Sequence, residues 1–93
     1  MFKISAFYKF AAVNKPLSLQ EKILNKFTKL SIKGTLLVGE EGINGTISAN
    51  NSDSLDNAIN FIKTINGFEN LEVKYSSSEK DPFTRLKVKF KNE

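Results

Sequence analysis

Among the 93 residues, two groups have the types and spacing to do chemistry. The first is Gly39-Glu40-Glu41-Gly42-Ile43-Asn44-Gly45-Thr46, which holds three of the five glycines. A glycine-rich turn can offer backbone N–H groups to an anion. Glu40 and Glu41 would repel one, however, and the G-x-x-x-x-G-K-[S/T] spacing of a phosphate loop is absent, with no helix following. As neighbours along a strand, the two carboxylates point to opposite faces and make a poor acid/base pair. They also supply too few oxygens at set spacings for a Mg²⁺ or Ca²⁺ site, so no metal site is assigned. The second group is basic: Arg85, Lys87, Lys89 and Lys91 alternate with Leu86, Val88 and Phe90. Burial of the apolar set would place these cations in one exposed row, ~6.5–7 Å apart, close to the step between phosphates in an extended single strand. Such a row suits polyanions, although lysine is also the ordinary occupant of a solvated edge strand.

Composition removes most other chemistry. Cys and His are both absent, which excludes disulfides, Cys/His zinc sites, thiol nucleophiles and imidazole bases. Fourteen Lys+Arg against ten Asp+Glu leave +4. The hydrophobic fraction of 40% and eight Phe describe a globular chain long enough for one core. No apolar run approaches the ~20 residues that span a bilayer, and Met1 leads straight into a strand pattern, so no membrane and a cytoplasmic location are expected.

The elements that must position these residues follow from periodicity. Phe2–Phe10 alternates as a strand, with Phe2, Ile4, Ala6, Tyr8 and Phe10 on one face and Lys3, Ser5, Phe7 and Lys9 on the other. Taking the more apolar set as buried puts Lys3 and Lys9 on the face that carries Arg85–Lys91. Ser18 with Glu21 has capping-box spacing and opens a helix to Leu30 along Leu19, Ile23, Leu24 and Phe27. Ile32–Val38 and Thr46–Ala49 read as a hairpin closed by Glu40–Gly45, with Asn44-Gly45 as the turn signal. Asn50–Asp53 caps a second helix, Asp53–Ile65, stopped by Gly67. Leu71–Tyr75 is a short strand, 76–82 a polar loop, and Arg85–Lys91 the last strand. The order β-α-β-β-α-β plus one short strand is the split βαβ, ferredoxin-like plan: an α+β sandwich with two helices on one face of an antiparallel sheet. The expected core includes Ile4, Leu24, Phe27, Leu36, Ile47, Ile59, Ile62 and Val88. Gly42 or Gly45 should hold positive φ. The helix-free face, basic with one aromatic, is a candidate single-stranded RNA platform. The third strand lacks the aromatics of the RNA-recognition motif.

Glu41-Gly42-Ile43-Asn44-Gly45-Thr46, after the strand Gly34–Val38, resembles the EGINGT segment of the rhodanese-domain tRNA uridine hydroxylase family. Tyr8-Lys9-Phe10, Pro82-Phe83, Arg85–Lys89 and the closing Lys91-Asn92-Glu93 are similar to that family too, in order along the whole chain. The resemblance implies a single acylphosphatase-like domain over 1–93, followed in the family by a rhodanese-like domain that carries the reactive cysteine. It also implies a parent enzyme that hydroxylates carbon 5 of the wobble uridine of tRNA with molecular oxygen as co-substrate. This domain then has no catalytic residue and no cofactor of its own. Its implied partners are tRNA, through Lys3, Lys9, Arg85, Lys87, Lys89 and Lys91, and the downstream domain. A purely structural role, with the Glu41–Thr46 hairpin as the contact, is the alternative. Gly39-Glu40 stands where the family commonly has Ala-x. Acylphosphatases also need an arginine in the loop after the first strand; here that loop is Ala11–Pro16, and the sole arginine is Arg85. Acyl-phosphate hydrolysis is therefore disfavoured.

Overall fold

The computed structural model describes residues 1–91; the Asn92-Glu93 part of the family resemblance lies outside them. The elements run β1 (Phe2–Phe10), α1 (Pro16–Lys29), β2 (Lys33–Gly39), β3 (Gly42–Ala49), α2 (Ser52–Lys63), β4 (Val73–Ser78) and β5 (Leu86–Phe90). They form one five-stranded sheet in the order β4-β1-β3-β2-β5, with both helices packed on it. The first four strands pair antiparallel in the expected split plan, and β5 joins parallel to β2, so the complete sheet is mixed.

Register fixes which residues share a face, because residues directly opposite in neighbouring strands point the same way. On the helix-covered side one row runs Phe7–Gly45–Leu36–Val88 from β1 to β5, and the next runs Lys9–Ile43–Val38–Phe90. Ile23, Phe27, Ile59, Ile62 and Phe68 pack onto these rows to complete the core. Gly45 separates two large buried side chains, Phe7 and Leu36. A Cβ there would lie 2.5 Å from Leu36 Cδ1 and 2.8 Å from the Thr35 carbonyl oxygen.

Several expectations change. Phe7 and Ser5 are buried under the helices, so the face assignment of β1 is inverted. Ile4 lies half-buried on the open side rather than in the core. Only Phe7 of the Lys3–Ser5–Phe7–Lys9 set is apolar, so counting hydrophobic residues favours the other face; Phe7, opposite Gly45 in its row, is nevertheless the side chain that is buried. Leu24 sits off the buried Leu19–Ile23–Phe27 stripe and is 40% exposed. Helix α1 starts two residues earlier than its capping-box spacing suggested: Pro16 occupies the first turn and Lys15 precedes it with no side-chain cap. Proline favours that position because its missing N–H is unpaired there anyway. Ser18 is thus already helical. Helix α2 begins as its cap signal indicated, with Asn51 Oδ1 accepting from the Ser54 N–H at 2.8 Å. The hairpin turn is Glu40-Glu41, not Asn44-Gly45, since Gly39 already pairs with Gly42. Neither glutamate has positive φ; the unusual backbone falls on Gly42, at φ 151°. Strand β4 runs on to Ser78, into what read as loop.

Candidate functional site: the open face of the sheet

The helix-free face is built in transverse rows. Across β1, β3, β2 and β5 one row reads Ala6–Thr46–Thr35–Lys87, with Lys74 of β4 beside Ala6. The next reads Tyr8–Asn44–Leu37–Lys89. The third has Phe10, then Gly42 and Gly39, with Lys91 following β5 on the far side. Alternation in β5 therefore delivers Lys87 and Lys89 to the open face as expected. Arg85 is exposed just before the strand, and its carbonyl accepts from the Gly34 N–H at 3.1 Å.

Lys3 and Lys9 do not join that row. They belong to the helix-side parity of β1, opposite Ala49 and Ile43. In their place the inverted strand presents two aromatics of the Phe2–Ile4–Ala6–Tyr8–Phe10 set, the set that the sequence pattern assigns to the buried face. Tyr8 is 54% and Phe10 66% exposed, and their rings meet edge to face with centroids 4.8 Å apart. No periodicity signal marks this parity, because the Lys3–Ser5–Phe7–Lys9 set that is turned to the helices holds a single apolar residue.

The two glycines give the third row a bare-backbone floor. A trough of about 280 Å³ lies over it, bordered by Tyr8, Phe10, Leu37, Asn44, the Glu40-Glu41 turn and Lys91. The turn is held in place from the neighbouring loop. The N–H groups of Ala11 and Val13 donate to the carbonyls of Glu41 and Glu40 at 3.0 and 2.9 Å. These amides belong to the loop where an acylphosphatase would cradle its phosphate. Two of them are committed to the turn, and the loop contains no arginine.

The opposite end of the open face is closed. Between β4 and β5 the chain crosses the sheet, and Asp81 lands on Ser48 of β3. Asp81 Oδ1 accepts from the Ser48 hydroxyl at 2.9 Å and from the Phe83 N–H at 3.1 Å, and Lys33 Nζ lies 3.2 Å from Oδ2. This strap leaves Ser48 only 1% exposed on a side of the sheet that no helix covers. Burial alone would raise the pKa of Asp81. The Phe83 N–H, the Ser48 hydroxyl and Lys33 together outweigh it and hold the carboxyl below its ordinary 3.8. Among the described residues no three acidic side chains cluster as metal ligands would, and no helix is long and apolar enough to cross a membrane.

Comparison with known proteins sets this geometry in a family. The model described as "UPF0176 acylphosphatase like domain" matches residues 2–93. Curated relatives called "tRNA uridine(34) hydroxylase" are 45% identical in Bartonella quintana and 40% identical in Bartonella henselae, each over 99% of this chain. The chain spans about 30% of the length of those relatives, corresponding to their N-terminal region. Among solved structures, a bacterial light-regulated adenylyl cyclase superposes over 97% of this chain and 28% of its own, with a TM-score of 0.73 and 14% identity. HypF, solved in a phosphate- and nucleotide-bound form, superposes over 99% of this chain and 12% of its own, with a TM-score of 0.66 and 14% identity. At that identity these two likenesses describe the fold.

Proposed function

The chain belongs to the family of UPF0176 acylphosphatase-like domains, and on that premise we propose that it holds tRNA for an oxygen-dependent uridine hydroxylase. The observation that carries the reading is the open face: Lys87 and Lys89 stand in register with Thr35 and Leu37, on the same side as two exposed aromatics. Cations at strand spacing neutralise successive phosphates, and aromatics offer faces on which unpaired bases stack. The identity to proteins called tRNA uridine(34) hydroxylases supports tRNA as the substrate class. In such a protein the hydroxylation, with molecular oxygen as co-substrate, belongs to a rhodanese-like domain downstream, and this domain contributes binding and orientation.

The test is tRNA affinity of the full-length protein as a function of salt. Lys87→Glu with Lys89→Glu should weaken binding, and the slope of log affinity against log salt should become shallower by about one for each lysine lost. Unchanged affinity at low salt would remove the open face from the tRNA site.

One observation favours a second reading, in which the domain serves its neighbour. Leu17 and Leu24, two turns apart on α1, are 62% and 40% exposed. A domain packed against that flank would cover them. Faster amide exchange in the rest of the protein on Leu17→Glu with Leu24→Glu would support such a contact; unaltered exchange there would leave α1 as solvent-facing surface.

A further inference from the structure

The EGINGT segment contains one exposed polar side chain on the open face that the phosphate row does not use. Asn44 lies between Tyr8 and Leu37 in its row, beside the glycine floor. We infer that the trough is a base-reading subsite: it takes one unpaired nucleobase, stacked against the Phe10–Tyr8 wall, with the Asn44 amide bonding to its edge. The inference rests on the proposed RNA-binding role and deepens it.

Four properties select this ligand. The volume, about 280 Å³, sits at the lower edge of small-molecule clefts, roughly 300–1,000 Å³, so it suits a single base and not a duplex. The floor is bare because Gly42 and Gly39 are opposite each other. Gly42 cannot take a side chain, since a Cβ would collide with the Lys9 carbonyl oxygen. Charge then orients the nucleotide. Glu40 and Glu41 at the turn disfavour a phosphate there, whereas Lys89, in the row of Asn44, favours one on the β5 side. An amide carries both donors and an acceptor, so it can discriminate among base edges, which lysines and aromatic faces cannot do.

The experiment uses the full-length protein and short single-stranded oligoribonucleotides, alike except that one position carries each of the four bases or none. At low salt the unmodified protein should bind base-containing oligomers about tenfold more tightly than the abasic one. Phe10→Ala should abolish that difference. Asn44→Ala should retain it while levelling the preference among the four bases. Lys87→Glu with Lys89→Glu should weaken all five oligomers alike. Both Phe10 and Asn44 are exposed, and an unchanged melting temperature checks that the variants fold. Salt-dependent binding that ignores the abasic substitution would overturn the base subsite and leave the RNA-binding role standing. Absence of binding by all five oligomers, with tRNA affinity indifferent to the lysine pair, would overturn that role itself. Should Phe10→Ala leave every oligomer unaffected but raise amide exchange in the downstream domain, a polypeptide occupies the trough and the inference fails.

Discussion

Two faces of the same five strands meet different demands, and the short EGINGT segment serves both. On the helix-covered face Gly45 makes room for Leu36, with Phe7 opposite it in the row, and the adjoining positions Ile43 and Ile47 are buried. On the open face Gly42 carries the positive φ after the turn and forms part of the trough floor, while Asn44 is exposed. Two glycines three residues apart therefore have different physical reasons, close packing for one and backbone geometry for the other. A segment can look like a single turn motif and still divide its residues between core and site.

The strongest way to break the comparison is at Gly45. Its φ is not in the positive region, so the obstacle is space alone: the Leu36 side chain could give way, but the Thr35 carbonyl oxygen cannot do so cheaply. Gly45→Val should cost about 3 kcal/mol or more, since overpacking of a core typically costs ~1–3 kcal/mol and here backbone must move as well. Urea denaturation measures it. A loss below about 1 kcal/mol would mean that the close approach of Leu36 and the Thr35 carbonyl does not require a glycine at this position.

The next largest effect lies at the closed end of the open face. Asp81→Ala leaves the Ser48 hydroxyl and the Phe83 N–H without their acceptor. The cost of an unsatisfied buried group, about 1–3 kcal/mol, sets the expected loss. Its pH dependence has a definite sign. The carboxyl is held below 3.8 in the folded chain, so its contribution is fully present above the unfolded pKa and fades as pH falls through the folded value. The stability difference between the native protein and Asp81→Asn should therefore persist at neutral pH and shrink as the pH falls below 3.8. A difference constant across that range would show that the strap does not depend on the charge.

How far the sequence disclosed this molecule can be argued from the helices that back the covered face. The element order and the α2 start were legible because Asn51 and the Leu55–Ile59–Ile62 spacing are local signals. The α1 start is a correction: the Ser18–Glu21 spacing suggests a later start, and Pro16 outranks it. Asn51→Ala should cost ~0.5–2 kcal/mol, whereas Ser18→Ala should stay within about 0.5 kcal/mol, and equal costs would contradict the observed caps. Which face of β1 is buried was not legible, because the Lys3–Ser5–Phe7–Lys9 set turned to the helices holds a single apolar residue. The aromatic half of the candidate site stayed hidden for the same reason, while the lysines of β5, an edge strand with one apolar set, could be placed by alternation alone.

The smallest effect concerns a polar group on the covered face. Ser5 is fully buried between Ile47 of β3 and Tyr75 of β4 in its row, and its hydroxyl has no hydrogen-bond partner among the described residues. Burying a hydroxyl without compensation costs free energy. Ser5→Ala removes the oxygen and keeps the Cβ, so it eliminates that cost and opens little space. The variant should be as stable as the native chain or more stable by up to about 1 kcal/mol, in contrast to Asp81→Ala, where the polar atoms are paired. Denaturation of the two variants side by side tests whether pairing, and not mere polarity, separates the faces. If Ser5→Ala were destabilised by more than about 1 kcal/mol, the hydroxyl would have to be making a bond in solution, through a water or a shifted carbonyl. The covered face would then contain a polar contact of its own, and the contrast with the Asp81 strap would lose its basis.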